Sequence, residues 1–394
     1  MKLSEGREGW SRYTDSYQKK EGSVQLRRSH AALTLAALLL LVTLGLATGC
    51  GQSATASQTS PAPTLKTSPQ PLDGYRLWAS GMSVFTSADG GASWRVQRTL
   101  HSLCWGVAAS DARHVWVAID SGEILATSDG GARWTLRQLA TNGRELTGVA
   151  CSGARHVFVA GTAPGGVFVL RTSDGGRTWL SSPLVRQVGS LMAIACSDPE
   201  HVWAVGSPHD SASGTTIPGA IIASSDGGVH WKVQYSEPNA NLRGVAFADA
   251  RCGWAVGNET LAGAGGEVLR TTDGGGSWTV LRLPEVACLQ SVTCSDALHA
   301  WAVGGAMDGS RAVIIATADG GKTWKTQLSL PMCALRAVSC TDSRHVWAIG
   351  MRAHAGSVAG FVLATSNGGA TWTTQSVQRS MAVSLAITVS RLLH

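Results

Sequence analysis

The sequence predicts an all-β protein, a seven-bladed β-propeller of four-stranded blades whose ring is closed by the C-terminal strand. Two repeated segments support this prediction: an octet built around Asp-Gly-Gly, and a segment of the type His-Val-Trp-Ala-Val-Gly. The tryptophans that end successive octets are separated by 40 residues (Trp94 to Trp134) up to 52 residues (Trp179 to Trp231). A period in this range is typical of repeat architectures.

The octet has the composition of a β-hairpin. Its fullest copy is Thr-Ser-Asp-Gly-Gly-Arg-Thr-Trp at residues 172–179. An Asp followed by two glycines supplies an acceptor for backbone N–H groups and two residues that tolerate positive φ. We therefore interpret the residue directly before the two glycines as a structural turn former and not as a catalyst: Asp89, Asp129, Asp174, Asp226, Asp273, Asp319 and, in the seventh copy, Asn367.

Three further apolar segments accompany each octet. An alternating strand such as 148–152 comes first, the Trp-containing segment such as 201–206 follows, and a third strand such as 123–128 leads into the octet. With the strand that follows the hairpin, each unit contains four short strands, which is one propeller blade.

The first unit lacks its first strand, because it begins at Tyr75 directly with the Trp-containing segment. The missing strand is found at the other end of the chain, where residues 385–390 resemble the Leu-x-Ala-Val-Ser pattern of residues 335–339. We expect this C-terminal strand to complete the first blade, since a closed ring has no open sheet edge that could pair with another chain.

Aromatic residues and histidines recur at fixed positions of the repeat. The mid-blade aromatics are predicted to be core rather than a sugar platform: Trp78, Trp116, Phe158, Trp203, Trp254, Trp301 and Trp347. Four of the five equivalent histidines follow an Asp by three residues, which predicts local Asp–His hydrogen bonds: His114, His201, His299 and His345, with His156 as the exception. A closed ring would hold these histidines too far apart to share a metal ion, so we expect neither a metal site nor a cofactor.

Six of the nine cysteines fall into two groups. One group shares a strand position and is predicted to be small apolar core residues, because equivalent positions of neighbouring blades lie beyond disulfide reach: Cys151, Cys196, Cys294 and Cys340. Cys288 and Cys333 are predicted to lie in equivalent loops, where a bridge is an open alternative outside the cytoplasm.

Residues 1–50 have the order of an export signal, a basic segment followed by the apolar run 31–47. The run ends at Leu-Ala-Thr-Gly-Cys50, which resembles the lipobox of bacterial lipoproteins and implies that Cys50 is lipidated. The alternative is an uncleaved signal anchor, although the run is at the short limit for a bilayer span. Residues 51–72 are rich in Ser, Thr and Pro and predict a disordered linker. Both alternatives place the propeller, residues 73–394, on the outer or periplasmic side of the cell membrane.

The charge balance argues against a nucleic-acid partner. The chain carries a net charge of +6, but residues 1–71 hold eight Lys or Arg against four acidic residues, which leaves +2 for the propeller. This is too balanced for a nucleic-acid footprint. Arginine outnumbers lysine 21 to 3 in the propeller, a composition that suits bidentate recognition of protein groups.

The Ser-x-Asp-Gly-Gly-x-Thr-Trp hairpin resembles the Asp-box, or BNR, repeat. Its combination with Gly-Trp-Ala-Val-Gly and Ile-Leu-x-Thr segments is similar to the photosystem II stability and assembly factor family of propellers, over about residues 73–394. The resemblance implies a monomeric, non-enzymatic scaffold that holds a membrane-associated protein client during assembly. The alternative is a lipid-anchored surface or periplasmic binding propeller unrelated to photosynthesis, since the repeat specifies fold more strongly than function.

Sialidases also contain Asp-boxes, and they form the enzymatic alternative. Such an enzyme needs a Tyr nucleophile with a Glu partner and three converging arginines. The propeller offers Tyr75, in a first-blade strand, and Tyr235, which we expect to lie with Glu237 in a connecting loop. A xyloglucan-type glycosidase needs two carboxylates across a cleft between two propellers, and the chain has length for one. The sequence therefore favours a protein that is not an enzyme.

The connections after the second and fourth strands of each blade should emerge on one end of the ring, and both repeated turns on the other. The first set varies in sequence, as expected for loops that carry function on a rigid scaffold. We predict that Arg243 and Arg336 enter the innermost strands at that end, with three further arginines in loops nearby. The predicted client-binding patch comprises Arg186, Arg243, Arg311, Arg336 and Arg352.

Overall fold

The computed structural model describes residues 64–66, 72–139, 144–210, 216–259, 265–306, 309–354, 357–378 and 386–391. Every regular element in these ranges is a β-strand. Within the same ranges, no helix has the length and apolar character that a membrane crossing requires. The predicted export signal, including Cys50, lies outside the described residues.

Thirty-one strands follow one another along the described chain. A short strand, β1 (Thr64–Lys66), precedes the blades. Blade 1 begins with β2 (Tyr75–Ser80), β3 (Ser83–Ser87) and β4 (Arg95–Thr99). Blade 2 contains β5 (Cys104–Ala109), β6 (Val115–Ile119), β7 (Glu123–Thr127) and β8 (Thr135–Gln138). Blade 3 contains β9 (Glu145–Ser152), β10 (His156–Ala163), β11 (Gly166–Thr172) and β12 (Leu180–Ser181).

Blade 4 carries an inserted hairpin and contains β13 (Ser190–Cys196), β14 (Val202–Ser207), the hairpin strands β15 (His209–Asp210) and β16 (Thr216–Ile217), then β17 (Gly219–Ser224) and β18 (Lys232–Glu237). Blade 5 contains β19 (Ala240–Phe247), β20 (Gly253–Glu259), β21 (Gly266–Thr271) and β22 (Thr279–Leu283). Blade 6 contains β23 (Cys288–Cys294), β24 (Ala300–Gly305), β25 (Arg311–Thr317) and β26 (Lys325–Pro331). Blade 7 contains β27 (Cys333–Cys340), β28 (Val346–His354), β29 (Ser357–Thr365) and β30 (Thr371–Gln378), and the final strand is β31 (Ala386–Arg391).

The ring closes as predicted. β31 pairs antiparallel with β2, from Tyr75 opposite Arg391 to Ser80 opposite Ala386, so that blade 1 has the order β31-β2-β3-β4. The innermost strands contact one another in the cyclic order β5, β9, β13, β19, β23, β27, β31 and back to β5. The fold is therefore a seven-bladed propeller in which the two ends of the chain share one blade.

The mid-blade aromatics are core residues. Six tryptophans and Phe158 are at most 2% exposed, and they pack between neighbouring blades. Three of these indoles also donate across a blade boundary: Trp203 to the Gly274 carbonyl, Trp301 to Gly368, and Trp347 to Gly90. The last bond spans the closure between blades 7 and 1, at 2.9 Å. Each aromatic buries on the order of 150–250 Å², which makes these boundaries the main apolar contacts of the ring.

The Asp-box turn is held by side chains of its own hairpin, as blade 5 shows. The hydroxyl of Thr271 donates to Asp273 Oδ1 at 2.8 Å and accepts the N–H of Gly275 at the same distance. Asp273 also accepts the backbone N–H of Ser277, and these bonds lower the pKa of Asp273 to about 2. Gly274 and Gly275 have φ of 74° and 93°, a region in which side chains are strained.

We expect Thr271→Val to destabilise the propeller by about 1–3 kcal/mol, because the buried Gly275 N–H would lose its acceptor while the side chain keeps its shape. Thr271 is 2% exposed, whereas its neighbour Thr272 is exposed, so Thr272→Val is the matched control. Urea unfolding of the three proteins measures the difference. Equal midpoints would show that the hydroxyl does not support the turn.

Strand β1 lies within the stretch that the sequence predicts to be a disordered linker. It pairs parallel with β30, with Thr64, Leu65 and Lys66 opposite Thr371, Trp372 and Thr373. β30 is the outermost strand of blade 7 and offers an unpaired backbone edge, which can pair with almost any extended segment. Main-chain pairing of this kind leaves no apolar pattern in the sequence, so the prediction missed it. Leu65 adds a side-chain contact to the core of blade 7.

Two further expectations are corrected by the structure. Tyr235 and Glu237 belong to strand β18 and not to a loop, because the outer strand of blade 4 extends to Glu237. Cys288 and Cys333 are the first residues of β23 and β27 rather than loop residues. The eight cysteines of the described residues are free thiols. The four strand cysteines Cys151, Cys196, Cys294 and Cys340 are half-buried and pack against the blade cores.

Candidate protein-binding face

The connectivity gives the ring two different ends. The turns between first and second strands and the Asp-box turns between third and fourth strands lie at one end, which we call the Asp-box face. The other connections lie at the opposite end, which carries Arg243 and Arg336 and which we call the arginine face.

The Asp-box face is occupied by short turns with internal partners. In four blades the Nδ1 atom of a histidine lies 2.9–3.1 Å from the carboxylate oxygens of the Asp three residues before it, and the predicted Asp–His bonds are confirmed. Those pairs are Asp111–His114, Asp198–His201, Asp296–His299 and Asp342–His345. Within the described ranges, no three His, Cys, Asp or Glu side chains are grouped to hold a metal ion.

The arginine face is shaped by irregularities of the innermost strands. In blades 2 to 7 the pairing of the first strand with the second shifts by one residue, which leaves an extra residue on the innermost strand. A β-bulge of this kind re-aims a side chain. The extra residues, all half-buried, are Trp105, Thr147, Met192, Arg243, Gln290 and Arg336.

Two arginines converge among these residues. Arg243 in blade 5 donates from Nη1 to Gln290 Oε1 in blade 6 at 3.4 Å, and Arg336 approaches from blade 7. Burial first, and then the nearby charge of Arg243, hold the pKa of Arg336 below its ordinary value. The Nε atoms of both arginines are buried without a hydrogen-bond partner among the described residues. The two guanidinium groups are therefore near enough for their like charges to interact, and no acidic side chain of the described residues forms an ion pair with either of them.

A network of uncharged side chains extends from Gln290 back into blade 5. Gln290 Nε2 lies 3.2 Å from Cys288 Sγ, and Cys288 Sγ lies 3.2 Å from Asn258 Oδ1. Asn258 in turn accepts from Asn241 at 3.2 Å. Burial raises the pKa of the Cys288 thiol, and Arg243 and Arg336 oppose that rise. The ion pairs of the described residues join histidines to aspartates or Arg282 to Glu259, and none of them neutralises Arg243 or Arg336.

The other three predicted patch residues lie at the same end of the ring but apart from this pair. Arg186 is exposed in the connection after blade 3. Arg311 and Arg352 are exposed residues of β25 and β28, not of loops as predicted, because both strands extend toward the arginine face. Arg311 donates to the Glu285 carbonyl at 3.3 Å, and Arg352 lies opposite Cys333.

Sequence reasoning missed Gln290, which accepts from Arg243 and lies in the blade between those of the two central arginines. Its signal was present: Leu-Arg-Gly at 242–244, Leu-Gln-Ser at 289–291 and Leu-Arg-Ala at 335–337 are equivalent tripeptides of three successive blades. An alignment of the repeats places Gln290 between Arg243 and Arg336, whereas a search for charged residues passes over it.

Residues 92–245 match the sequence profile of the family described as photosynthesis system II assembly factor YCF48. A solved structure of YCF48 bound to D1 peptide is 17% identical, with a TM-score of 0.53, and the match covers 78% of this chain and 88% of that one. YCF48 from Cyanidioschyzon merolae is 20% identical over 69% of this chain and 84% of that one, with a TM-score of 0.48. The profile match confirms the predicted resemblance to photosystem II assembly factor-like propellers over residues 92–245, and the solved structure with D1 peptide shows the shared fold.

Other solved propellers share the fold. An ancestral GH74 enzyme is 13% identical with a TM-score of 0.56, and the match covers 82% of this chain but 48% of the enzyme. At this identity the likeness shows the fold alone. Among curated proteins, no sequence matches this chain.

Proposed function

We propose that this propeller is a non-enzymatic scaffold that holds a segment of a membrane-protein client on its arginine face during assembly. One observation carries the proposal: Arg243 and Arg336 lie near each other on the innermost strands, partly desolvated, and no carboxylate of the described residues pairs with either of them. Buried charges in proteins are usually paired, so an acidic group of a partner would complete the site.

The chemistry of the two side chains specifies the kind of client. A guanidinium group binds a carboxylate through two parallel hydrogen bonds, and such charge-assisted bonds are strong where water is excluded. A client segment with an exposed carboxylate, from an acidic side chain or a chain end, would fit between Arg243 and Arg336. The D1 peptide bound to YCF48 supports a membrane protein as the source of such a segment.

The same proposal places the protein outside the cytoplasm. The apolar run 31–47 would direct export, and lipidation of Cys50 or retention of the run as an anchor would hold the monomeric propeller at the membrane. Detection of a lipid-modified Cys50 by mass spectrometry of the mature protein would distinguish the two kinds of anchor.

A sialidase activity is not favoured by the environment of Tyr235. Burial first, and then Glu267 and Glu237, raise the pKa of Tyr235 to about 12. Either glutamate could act as a base, but a sialidase also needs three converging arginines, and the arginine whose charge acts on Tyr235 is Arg282. The nearby Arg282 is already paired with Glu259, at 2.6 Å from its Nε atom.

Affinity isolation of the tagged protein from solubilised native membranes tests the proposal. We expect a membrane protein to be recovered in amounts comparable to the bait, and we expect photosystem II reaction-centre subunits if the source cell makes that complex. Recovery of other envelope proteins would retain the scaffold and refute the photosynthetic role. Recovery of no membrane protein would refute the proposed function.

A further inference from the structure

Blade 5 buries a carboxylate at a position where blades 3, 6 and 7 bury apolar side chains. Glu267 in β21 is 1% exposed and lies opposite Gly257 of β20. The equivalent glycines of blades 3, 6 and 7 lie opposite Phe168, Val313 and Phe361, which are 1%, 4% and 3% exposed. The equivalent position of blade 2 also carries a glutamate, Glu123, opposite Ile119, but that residue is only half-buried. Three blades fill the position with an apolar side chain, so packing does not require the fully buried carboxylate of blade 5.

The surroundings of Glu267 are acidic. Glu259 is the last residue of β20, Arg282 lies opposite Glu267 on β22, and Tyr235 and Glu237 approach from β18 of blade 4. Both Arg282 Nε and Nη2 contact the same oxygen of Glu259, Oε1. Glu267 Oε1 is buried and has no hydrogen-bond partner among the described residues. The carboxylates of Glu267, Glu259 and Glu237 therefore have one guanidinium group near them, that of Arg282, and it is hydrogen-bonded to Glu259.

An unpartnered buried carboxylate is costly, because desolvation penalises the charged form and a like charge nearby adds to the penalty. Burial first, and then Glu259 and Glu237, raise the pKa of Glu267 to about 7, while Arg282 opposes the rise. The sequence between Glu259 and the start of β21 adds no basic residue as a counter-charge, since residues 260–264 are Thr-Leu-Ala-Gly-Ala. Costly charges of this kind concentrate at binding sites, where a ligand completes the pairing.

We propose that Glu267 and Glu259, at the junction of blades 4 and 5, form a binding site for a cationic side chain, a lysine or an arginine of a protein client. The contact between Arg282 and Glu259 shows that a guanidinium group reaches this site from solvent, since Arg282 is 67% exposed. The site lies at the arginine-face end of blade 5, because β20 ends and β21 begins there, and its solvent-accessible member is Glu259, with a side chain 17% exposed. Its identification as a client site, and so the source of the cation, depends on the proposed function.

The position of the glutamate site relative to Arg243 and Arg336 sets the orientation in which a client segment would bind. Asn258, next to Glu259, is connected through Cys288 to Gln290 and so to Arg243. A carboxylate of the client would lie near the axis, and a basic side chain would lie outward over blade 5. Paired charges of opposite sign on one face fix the orientation of a partner and reject the reversed one.

The binding of a cation can be measured on the full chain without a client. The probe is the peptide acetyl-Gly-Lys-Gly-amide, with acetyl-Gly-Gln-Gly-amide as the uncharged control, added to protein labelled with ¹³C in its glutamate carboxyl groups. We expect the lysine peptide to lower the titration midpoint of Glu267 by about one pH unit, because an opposite charge stabilises the ionised form. The glutamine peptide should leave the midpoint unchanged.

The variant Glu267→Val gives blade 5 the side chain that blade 6 has at this position, Val313. It should remove the binding site without disturbing the packing of the blade. We expect it to melt at a higher temperature than the wild type, and the gain should be larger at pH 8 than at pH 5. The sign follows from the raised pKa of Glu267: the native state resists losing this proton, so the wild type loses stability as pH rises from the ordinary glutamate range through about 7. The Tyr235 ring signals, which the lysine peptide should shift in the wild type, should not shift in the variant.

Equal responses to the lysine and glutamine peptides would overturn the proposal. A saturable response to calcium chloride without a response to the lysine peptide would also overturn it, in favour of a metal site. A lower melting temperature for Glu267→Val would show that the carboxylate is structural. The probe carries no carboxylate, so the lysine response can fail while client capture through Arg243 and Arg336 persists, and the reverse is equally measurable.

Discussion

A chain that ends at Leu385 should fail to fold into a monomer, because it lacks the strand that completes blade 1. Without β31, the backbone edge of β2 would be unpaired, and the strand between β27 and β5 in the inner ring would be missing. Ile387, 7% exposed in the apolar cluster between blades 7 and 1, would also be lost. An unpaired central edge is a site of aggregation. We expect the truncated protein to elute as aggregate in size-exclusion chromatography and to lack a cooperative thermal transition.

The matched control is a chain that ends at Arg391. It keeps all of β31 and removes three residues that follow the strand, so it should be monomeric and melt like the full-length protein. If the chain that ends at Leu385 melts at the same temperature as the chain that ends at Arg391, ring closure does not stabilise the fold.

The double variant Arg243→Glu, Arg336→Glu should lose the client. Two carboxylates would replace the two donors and would repel an acidic client segment. Truncating one partner of a buried charge pair costs roughly 2–5 kcal/mol of binding free energy, and reversal of both charges should cost at least as much, which corresponds to about 30-fold or more in affinity. Recovery of the client from solubilised membranes, quantified against the bait, measures this loss.

The control for this variant is Arg95→Glu, Arg98→Glu, which makes the same change of net charge on the exposed outer strand of blade 1. It should capture the client as the wild type does. The thermal stability of Arg243→Glu, Arg336→Glu should stay close to that of the wild type, because the substitution exchanges one like-charge pair for another at two half-buried positions. Unchanged capture by a folded Arg243→Glu, Arg336→Glu protein would contradict the proposed site.

The fold was predictable because each blade repeats the same short sequence motifs. The Asp-Gly-Gly turn needs positive φ at its glycines, and the mid-blade aromatic needs a neighbouring blade, so both leave a residue pattern at every repeat. The closing strand left the same pattern at residues 385–390. β1 left none, because it is held mainly by backbone pairing with β30 and three residues carry no periodicity.

The candidate site was predictable only in part. Arg243 and Arg336 were recognised because they lie in the innermost strands. The direction of their side chains depends on β-bulges, which the sequence of a single strand does not predict. Arg311 and Arg352 were assigned to loops because strand ends are set by pairing partners and not by composition. Glu267 was missed because it stands in an apolar strand, where its burial depends on the partner strands on both sides.

The central claim is that the arginine face, and not the Asp-box face, binds the client. Site-specific photo-crosslinking tests it most directly, with a benzophenone amino acid at position 290, between the two central arginines, or at position 322, in the Asp-box turn of the same blade. Gln290 and Lys322 both belong to blade 6 but lie at opposite ends of it, so the two probes compare the two faces within one blade. We expect irradiation of the client complex to give a crosslink from position 290 and none from position 322. A crosslink from position 322 alone would contradict the account.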